Sequence, residues 1–219
     1  MNLLEVFIIT NERSTFPWTL KSVEAQTVTV PVTVIKNMKW LDALNKCSAD
    51  SRSKYYLRID DDMFLHPKAI EYYMHRLQKK IKSLGVYECK LWEDLTHKTA
   101  GRLKAYKTKV TRKIGFKPNH LGKVDKVFAK KLEKHGYRRI RDKSMIGLHS
   151  CSTVEDQERY RDLWKKENNI TISSSEFAKT FDNIIHIPHK SVEDQYKDIS
   201  KLKKLNRKYS TKFYKLLKD

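Results

Sequence analysis

The chain lacks a GxGxxG fingerprint and a GKS or GKT triplet. Those absences argue against a Rossmann dehydrogenase and a P-loop nucleoside triphosphatase. It also lacks any run of about 18 apolar residues, so no helix is expected to span a membrane. The first ten residues, Met1 to Thr10, have no basic n-region and no small-residue cleavage site, and do not read as a signal peptide. Cysteine is scarce: Cys47, Cys89 and Cys151 are odd in number and have no CxxC spacing. They read as reduced, buried and inert thiols of a cytosolic protein. A cytoplasmic location is therefore expected, with a peripheral position at a membrane surface left open.

What is present is core material and positive charge. The 219 residues suit one ordinary domain plus an appendage, and 39% hydrophobic residues, with 8 Phe and 11 Tyr, are enough for a proper core. The net charge of +20 implies an anionic partner such as nucleic acid, an anionic membrane surface or a phosphorylated substrate. The plainer alternative is a lysine-rich solvated surface.

Periodicity places a continuous apolar strand at Leu3 to Ile9, broken only by Glu5, as expected near the centre of a parallel sheet. A polar loop, Thr10 to Thr15, precedes a helix opened by Pro17. A second strand spans Val30 to Ile35, a second helix runs from about Trp40 to Ser48, and a third strand spans Lys54 to Ile59. This β-α-β-α-β order is that of a doubly wound nucleotide-binding half, giving an α/β fold with a mostly parallel central sheet flanked by helices.

The third strand runs straight into Asp60, Asp61 and Asp62. At a strand's carboxyl edge, where ligands bind in open α/β sheets, three adjacent carboxylates repel unless a cation or donor sits among them. In so basic a chain this points to a divalent metal site. The structural alternative, a helix N-cap ahead of Pro67, needs only one acid.

Two stretches resemble the GT-A fold glycosyltransferases of the family 2 type. One is Phe7 to Arg13 followed by Thr19-Leu20-Lys21-Ser22-Val23-Glu24-Ala25-Gln26-Thr27. The other is Tyr56 to Asp62 followed by Leu65-His66-Pro67-Lys68-Ala69-Ile70, which is similar to that family's DxD segment. The likeness covers the first third of the chain well. It implies that Asp60 and Asp62 are the DxD acids, with Asp62 on Mn²⁺ or Mg²⁺ and Asp60 and Asp61 on metal, ribose or sugar hydroxyls. It implies too that Thr10, Asn11, Glu12 and Arg13 line a nucleotide pocket, and that Lys36 and Asn37 meet the base. The acid common in the family at that last place is missing. The plainer reading, compatible with this one, is a polar loop with Ser14 or Thr15 capping a helix.

Further on, a long helix is expected from Pro67 to about Leu84, with Ile70, Tyr73, Met74, Leu77 and Ile81 on its core face. A strand follows at Val86 to Trp92, then Glu93-Asp94. Leu103 to Lys117 alternates as a strand, with Lys107, Lys109, Lys113 and Lys117 on one face, either solvated or a rail for an anion. The segment Gly122 to Arg138 resembles the family's "EDxDLxxRLxxxGY" helix. That match sets Asp125 at the place of the catalytic base, ahead of Glu93 and Asp94 as candidate. The alternative for Asp125 is a helix N-terminal acid. The strand Ser144 to Ser152 carries His149 where such enzymes often have a third metal ligand; a satisfied structural histidine is the alternative.

Val154-Glu155-Asp156-Gln157 and Val192-Glu193-Asp194-Gln195 read as two helix starts capped by Thr153 and Ser191. In the tail, Ile199, Leu202, Asn206, Tyr209, Phe213 and Leu216 form a stripe, expected to pack on the domain with a basic outer face. The domain reading is a GT-A-like unit at 1–185, with a nucleotide-sugar half at 1–66 and an acceptor-side half at 86–150, plus a basic helical tail at 186–219. The expected activity is metal-dependent sugar transfer from a UDP-sugar to an acceptor that the charge allows to be nucleic acid, anionic lipid or glycan, inverting with Asp125 as base. The rivals are a nucleic-acid or membrane-surface binding protein with a structural acid cluster, and a metal-dependent nucleotidyltransferase.

Overall fold

The computed structural model describes residues 2–79, 81–93, 98–118, 124–149, 191–209 and 211–217. Seven strands form one sheet in the order β2-β1-β3-β6-β5-β7-β4. They are β1 (Leu4–Thr10), β2 (Val32–Lys36), β3 (Tyr55–Asp60), β4 (Met63–Leu65), β5 (Leu84–Glu93), β6 (Lys98–Lys107) and β7 (Arg138–His149). The β1–β2 and β1–β3 pairs are parallel. β6 runs antiparallel to β3 and β5, β7 is parallel to β5, and β4 is antiparallel to β7. Five of the seven strands therefore point the same way, as the sequence suggests.

All of β1 is buried, which is why it reads as an apolar run. Its one charge, Glu5, accepts from Ser51 Oγ at 2.5 Å and Ser53 N at 2.8 Å. Buried carboxylates persist when hydrogen-bonded in this way. Helices α1 (Phe16–Glu24) and α2 (Trp40–Asp50) make the two crossovers.

Two expectations change. The helix α3 runs only over Ala69–Gln78. His66 Nδ1 accepts from Lys68 N at 3.1 Å, forming a turn ahead of it. Lys79 is extended at the other end, and Ser83, at φ 59°, turns the chain into β5. Ile70, Tyr73 and Leu77 are its core face as expected.

The proposed strand Leu103 to Lys117 is instead β6 followed by helix α4 (Thr108–Ile114), so the four lysines share no strand face. Tyr106, Val110 and Ile114 are four apart, a spacing that satisfies both an even strand alternation and a helical stripe. Arg112 then decides in favour of the helix, donating to the Ser48 and Ala49 carbonyls at the end of α2 at 2.9 and 3.0 Å. Met63–Leu65, for which no element is expected from the sequence, forms β4 and pairs Met63 with His149.

The tail forms α6 (Val192–Lys197), a 3₁₀ turn (Asp198–Lys201), α7 (Leu202–Lys208) and α8 (Lys212–Leu216). Ser191 caps α6 by accepting from Asp194 N at 3.1 Å, while Thr153 lies outside the described residues. Leu202, Asn206 and Phe213 are fully buried. The Asn206 amide brackets Met145 of β7, accepting from its N–H at 2.9 Å and donating to its carbonyl at 2.6 Å. The stripe is thus used in packing, although Tyr209 is 52% exposed. Cys47 and Cys89 are free and buried, and burial pushes the Cys47 thiol up to about 12, which makes it inert. Cys151 lies outside the described residues. Among those described, no helix is long and apolar enough to cross a membrane.

Candidate active site

The strand β3 is buried through Ile59, and Asp61 and Asp62 form the tight turn into β4. Backbone and side-chain bonds fix this acid hairpin. Thr19 Oγ1 donates to the Asp61 carbonyl at 2.8 Å, and Ser22 Oγ accepts from Leu65 N at 3.1 Å. Both side chains come from the helix α1, whose "TLKSV" sequence thus holds the acids in place.

The three carboxylates have different surroundings. Asp61 turns toward the loop after β1, accepting from Thr10 Oγ1 at 2.9 Å and Asn11 N at 3.1 Å, with Arg13 Nε at 3.4 Å. Asp62 meets Arg13 Nη1 at 2.6 Å and lies 3.7 Å from His149 Nε2. Asp60 pairs with Arg58 at 3.3 Å. Burial pushes Asp60 and Asp61 above the usual carboxylate range despite Arg58 and Arg13. Burial acts the same way on Asp62, but His149 and Arg13 together overcome it and hold that carboxyl below its ordinary value.

The structure therefore brings Asp60, Asp62 and His149 to one edge. Among the described residues no three His, Cys, Asp or Glu side chains form a ready-made metal cluster. The donor chemistry fits a hard divalent cation all the same. Asp60 Oδ1 and Asp62 Oδ1 are buried without a hydrogen-bond partner, an arrangement that a Mg²⁺ or Mn²⁺ ion satisfies.

At the loop, Thr10 Oγ1 accepts from Glu12 N at 2.7 Å. Glu12 and Asn37 both adopt left-handed backbone, at φ 59° and 51°, where strand ends meet. The Glu12 carboxylate takes hydrogen bonds from Lys36 Nζ and Asn37 Nδ2, each 3.1 Å. Asn37 N also donates to the Thr10 carbonyl at 2.9 Å. Glu12 thus sets a carboxylate against Lys36 and Asn37 at the end of β2.

Asp125 sits in the first turn of α5 (Val124–Lys134). It receives Arg58 Nη1 at 3.4 Å, the Tyr106 hydroxyl at 3.2 Å, and a short contact from Lys104 Nζ. Burial would raise its carboxyl, yet Arg58 and Lys104 hold it far below the usual range, so it stays ionised. Arg58 is itself buried and lies over Trp40 at 4.7 Å. Asp60 and Asp125, opposing the effect of burial, keep it protonated. Asp125 lines a cavity of about 510 Å³ between α5 and strands β5, β6 and β7. Glu93 ends β5, and Asp94 lies outside the described residues.

Sequence reasoning missed Arg58, Lys104, Tyr106 and Glu88. Arg58 carried a signal, as the one charge inside Tyr-Tyr-Leu-Arg-Ile, a strand otherwise built for burial. Lys104 and Glu88 become a site only through the register that sets them side by side.

Solved structures share this architecture. The mannosyltransferase PcManGT from Pyrobaculum calidifontis, in complex with GDP-Man and Mn²⁺, matches 93% of this chain over 74% of its own, with a TM-score of 0.55 and 12% identity. S. aureus TarS 1–349 in complex with UDP matches 84% of this chain over 70% of its own, with a TM-score of 0.57 and 12% identity. Glucosyl-3-phosphoglycerate synthase from Mycobacterium tuberculosis, in complex with Mg²⁺ and UDP, matches 78% of this chain over 81% of its own, with a TM-score of 0.53 and 11% identity. No family model and no curated protein matches the sequence. The fold is that of the GT-A-type glycosyltransferases.

Proposed function

We propose that this protein is a metal-dependent glycosyltransferase that takes its sugar from a nucleotide-sugar donor, UDP-linked in our reading. The observation that carries it is the acid hairpin. Two buried carboxylate oxygens without a hydrogen bond, one of them ion-paired to Arg58, stand at the carboxyl edge of a GT-A sheet, beside a loop held by Asp61. The solved neighbours, in complex with GDP-Man and Mn²⁺, with UDP, and with Mg²⁺ and UDP, support a nucleotide-sugar donor and a divalent metal.

Asp60, Asp62 and His149 would hold Mn²⁺ or Mg²⁺. When bound, the ion neutralises the charge that grows on the departing diphosphate. Asp61 positions the Thr10–Arg13 loop, whose backbone and side chains line the nucleotide pocket. Lys36, Asn37 and Glu12 form its outer wall toward the base. Asp125 takes the proton of the acceptor hydroxyl as that oxygen bonds C1 and the C1–phosphate bond breaks on the opposite side, which inverts the anomeric centre. Arg58 ties the two carboxylates into one frame.

A product screen tests this reading. The full chain is incubated with Mn²⁺ and UDP-sugars, GDP-sugars or nucleoside triphosphates. Release of UDP from a UDP-sugar, abolished by chelator, is expected. Pyrophosphate from a triphosphate would replace the reading with nucleotidyl transfer. Turnover of none, without metal-dependent nucleotide binding, would leave a binding protein with a structural acid cluster.

A further inference from the structure

The cavity beneath α5 carries a strong positive surplus. Lys90, Arg102, Lys104, Lys126, Arg139 and Arg141 line it, against the acids Glu88 and Asp125. Strand register builds this face. Glu88 lies between Lys104 of β6 and Arg141 of β7, and Lys90 lies beside Arg102. Glu88 is 4% exposed, with Arg102, Arg139 and Arg141 at 3.7, 3.8 and 3.8 Å. Arg139 also approaches Glu133 at 3.7 Å, and Arg102 donates to the Asp142 carbonyl at 3.4 Å. One carboxylate cannot satisfy three guanidinium forks, so donors and charge remain for a ligand. The volume, about 510 Å³, is that of a small-molecule site.

The cavity also touches the acid hairpin twice. Asp125 in its wall meets Arg58, which pairs with Asp60. Gly101, also in its wall and at φ 60°, faces His149 at ordinary contact range, where a Cβ would lie 3.9 Å from the ring. His149 in turn lies 3.7 Å from Asp62.

We propose that this cavity is the acceptor subsite and that it recognises a phosphate group carried by the acceptor. The word acceptor rests on the glycosyltransferase reading; recognition of phosphate does not. Arginine forks match phosphate oxygens in pairs, and a surplus of this size suits a dianion better than a single carboxylate.

Calorimetry on the full chain tests it, with glycerol 3-phosphate as probe and glycerol as the uncharged control. Two double variants are compared, Arg139→Gln/Arg141→Gln and Lys90→Gln/Lys126→Gln. The lysines are not partners of Glu88, so the second pair keeps the test decisive if losing two arginines unfolds the chain. The wild type should bind glycerol 3-phosphate and not glycerol. Each folded variant should bind it roughly 10-fold more weakly or worse, and excess UDP with Mn²⁺ should not displace it. No binding by the wild type, unchanged binding in the folded variants, or displacement by UDP would overturn the proposal. Loss of UDP–Mn²⁺ binding alone would count against the donor reading and leave the phosphate site standing.

Discussion

The acid hairpin at Asp60–Asp62 and the cavity beneath α5 are joined through one arginine, Arg58, yet their charge balances are opposite. In the hairpin, three carboxylates meet two arginines, and two buried oxygens remain without a hydrogen bond. In the cavity, six cations meet two carboxylates. One region is built to receive a cation and the other an anion. Their adjacency through Arg58 suits a reaction in which a metal-bound diphosphate departs beside a negatively charged acceptor.

The comparison can be broken at several points. Asp125→Asn removes the proposed base and keeps the side-chain shape. Turnover should fall by about 10²–10⁴-fold with UDP binding retained, in a kinetic assay beside calorimetry; unchanged turnover would make Asp125 merely a helix-start acid. Arg58→Ala strips the shared cation from two carboxylates, and the chain should lose about 3–5 kcal/mol of stability in denaturant unfolding. A loss below 1 kcal/mol would mean that the two regions are independent. Gly147→Ala places a Cβ 2.5 Å from the Phe64 carbonyl, across the β4–β7 pair that sets His149 near Asp62. It should cost about 1–3 kcal/mol and weaken UDP–Mn²⁺ binding more than glycerol 3-phosphate binding.

The smallest effect is acid lability from His66, whose ring packs against Phe213. Burial, helped by Lys68, lowers its pKa from 6.5 to about 4. The unfolded chain then binds more protons between those values, so stability is complete above about pH 6.5 and falls as pH drops toward 4. The loss should reach about 1–2 kcal/mol after solvent screening. Melting curves at pH 7 and pH 5 should show this drop in the wild type and less of it in His66→Asn.

The first half of the fold was legible because β1 and β3 are buried almost throughout and α1 opens on Pro17. Asp60 to Asp62 were legible as a cluster because three acids cannot follow such a strand by chance chemistry. Their division of labour was not. Asp61 faces the loop only because Thr10, Asn11 and Arg13 fold back over it. The stretch from Tyr106 to Ile114 misled because its four-residue spacing satisfies two periods at once. The cavity was invisible for a simpler reason. Lys90, Lys104, Glu88 and Arg141 come from three strands, and only pairing register makes them neighbours.

Calorimetry of UDP, with and without Mn²⁺, on the wild type and Asp62→Asn tests the central claim most directly. The account predicts that Mn²⁺ tightens UDP binding to the wild type by roughly 10-fold or more and that Asp62→Asn loses this gain while remaining folded. Equal UDP affinity with and without the metal in the wild type would contradict it.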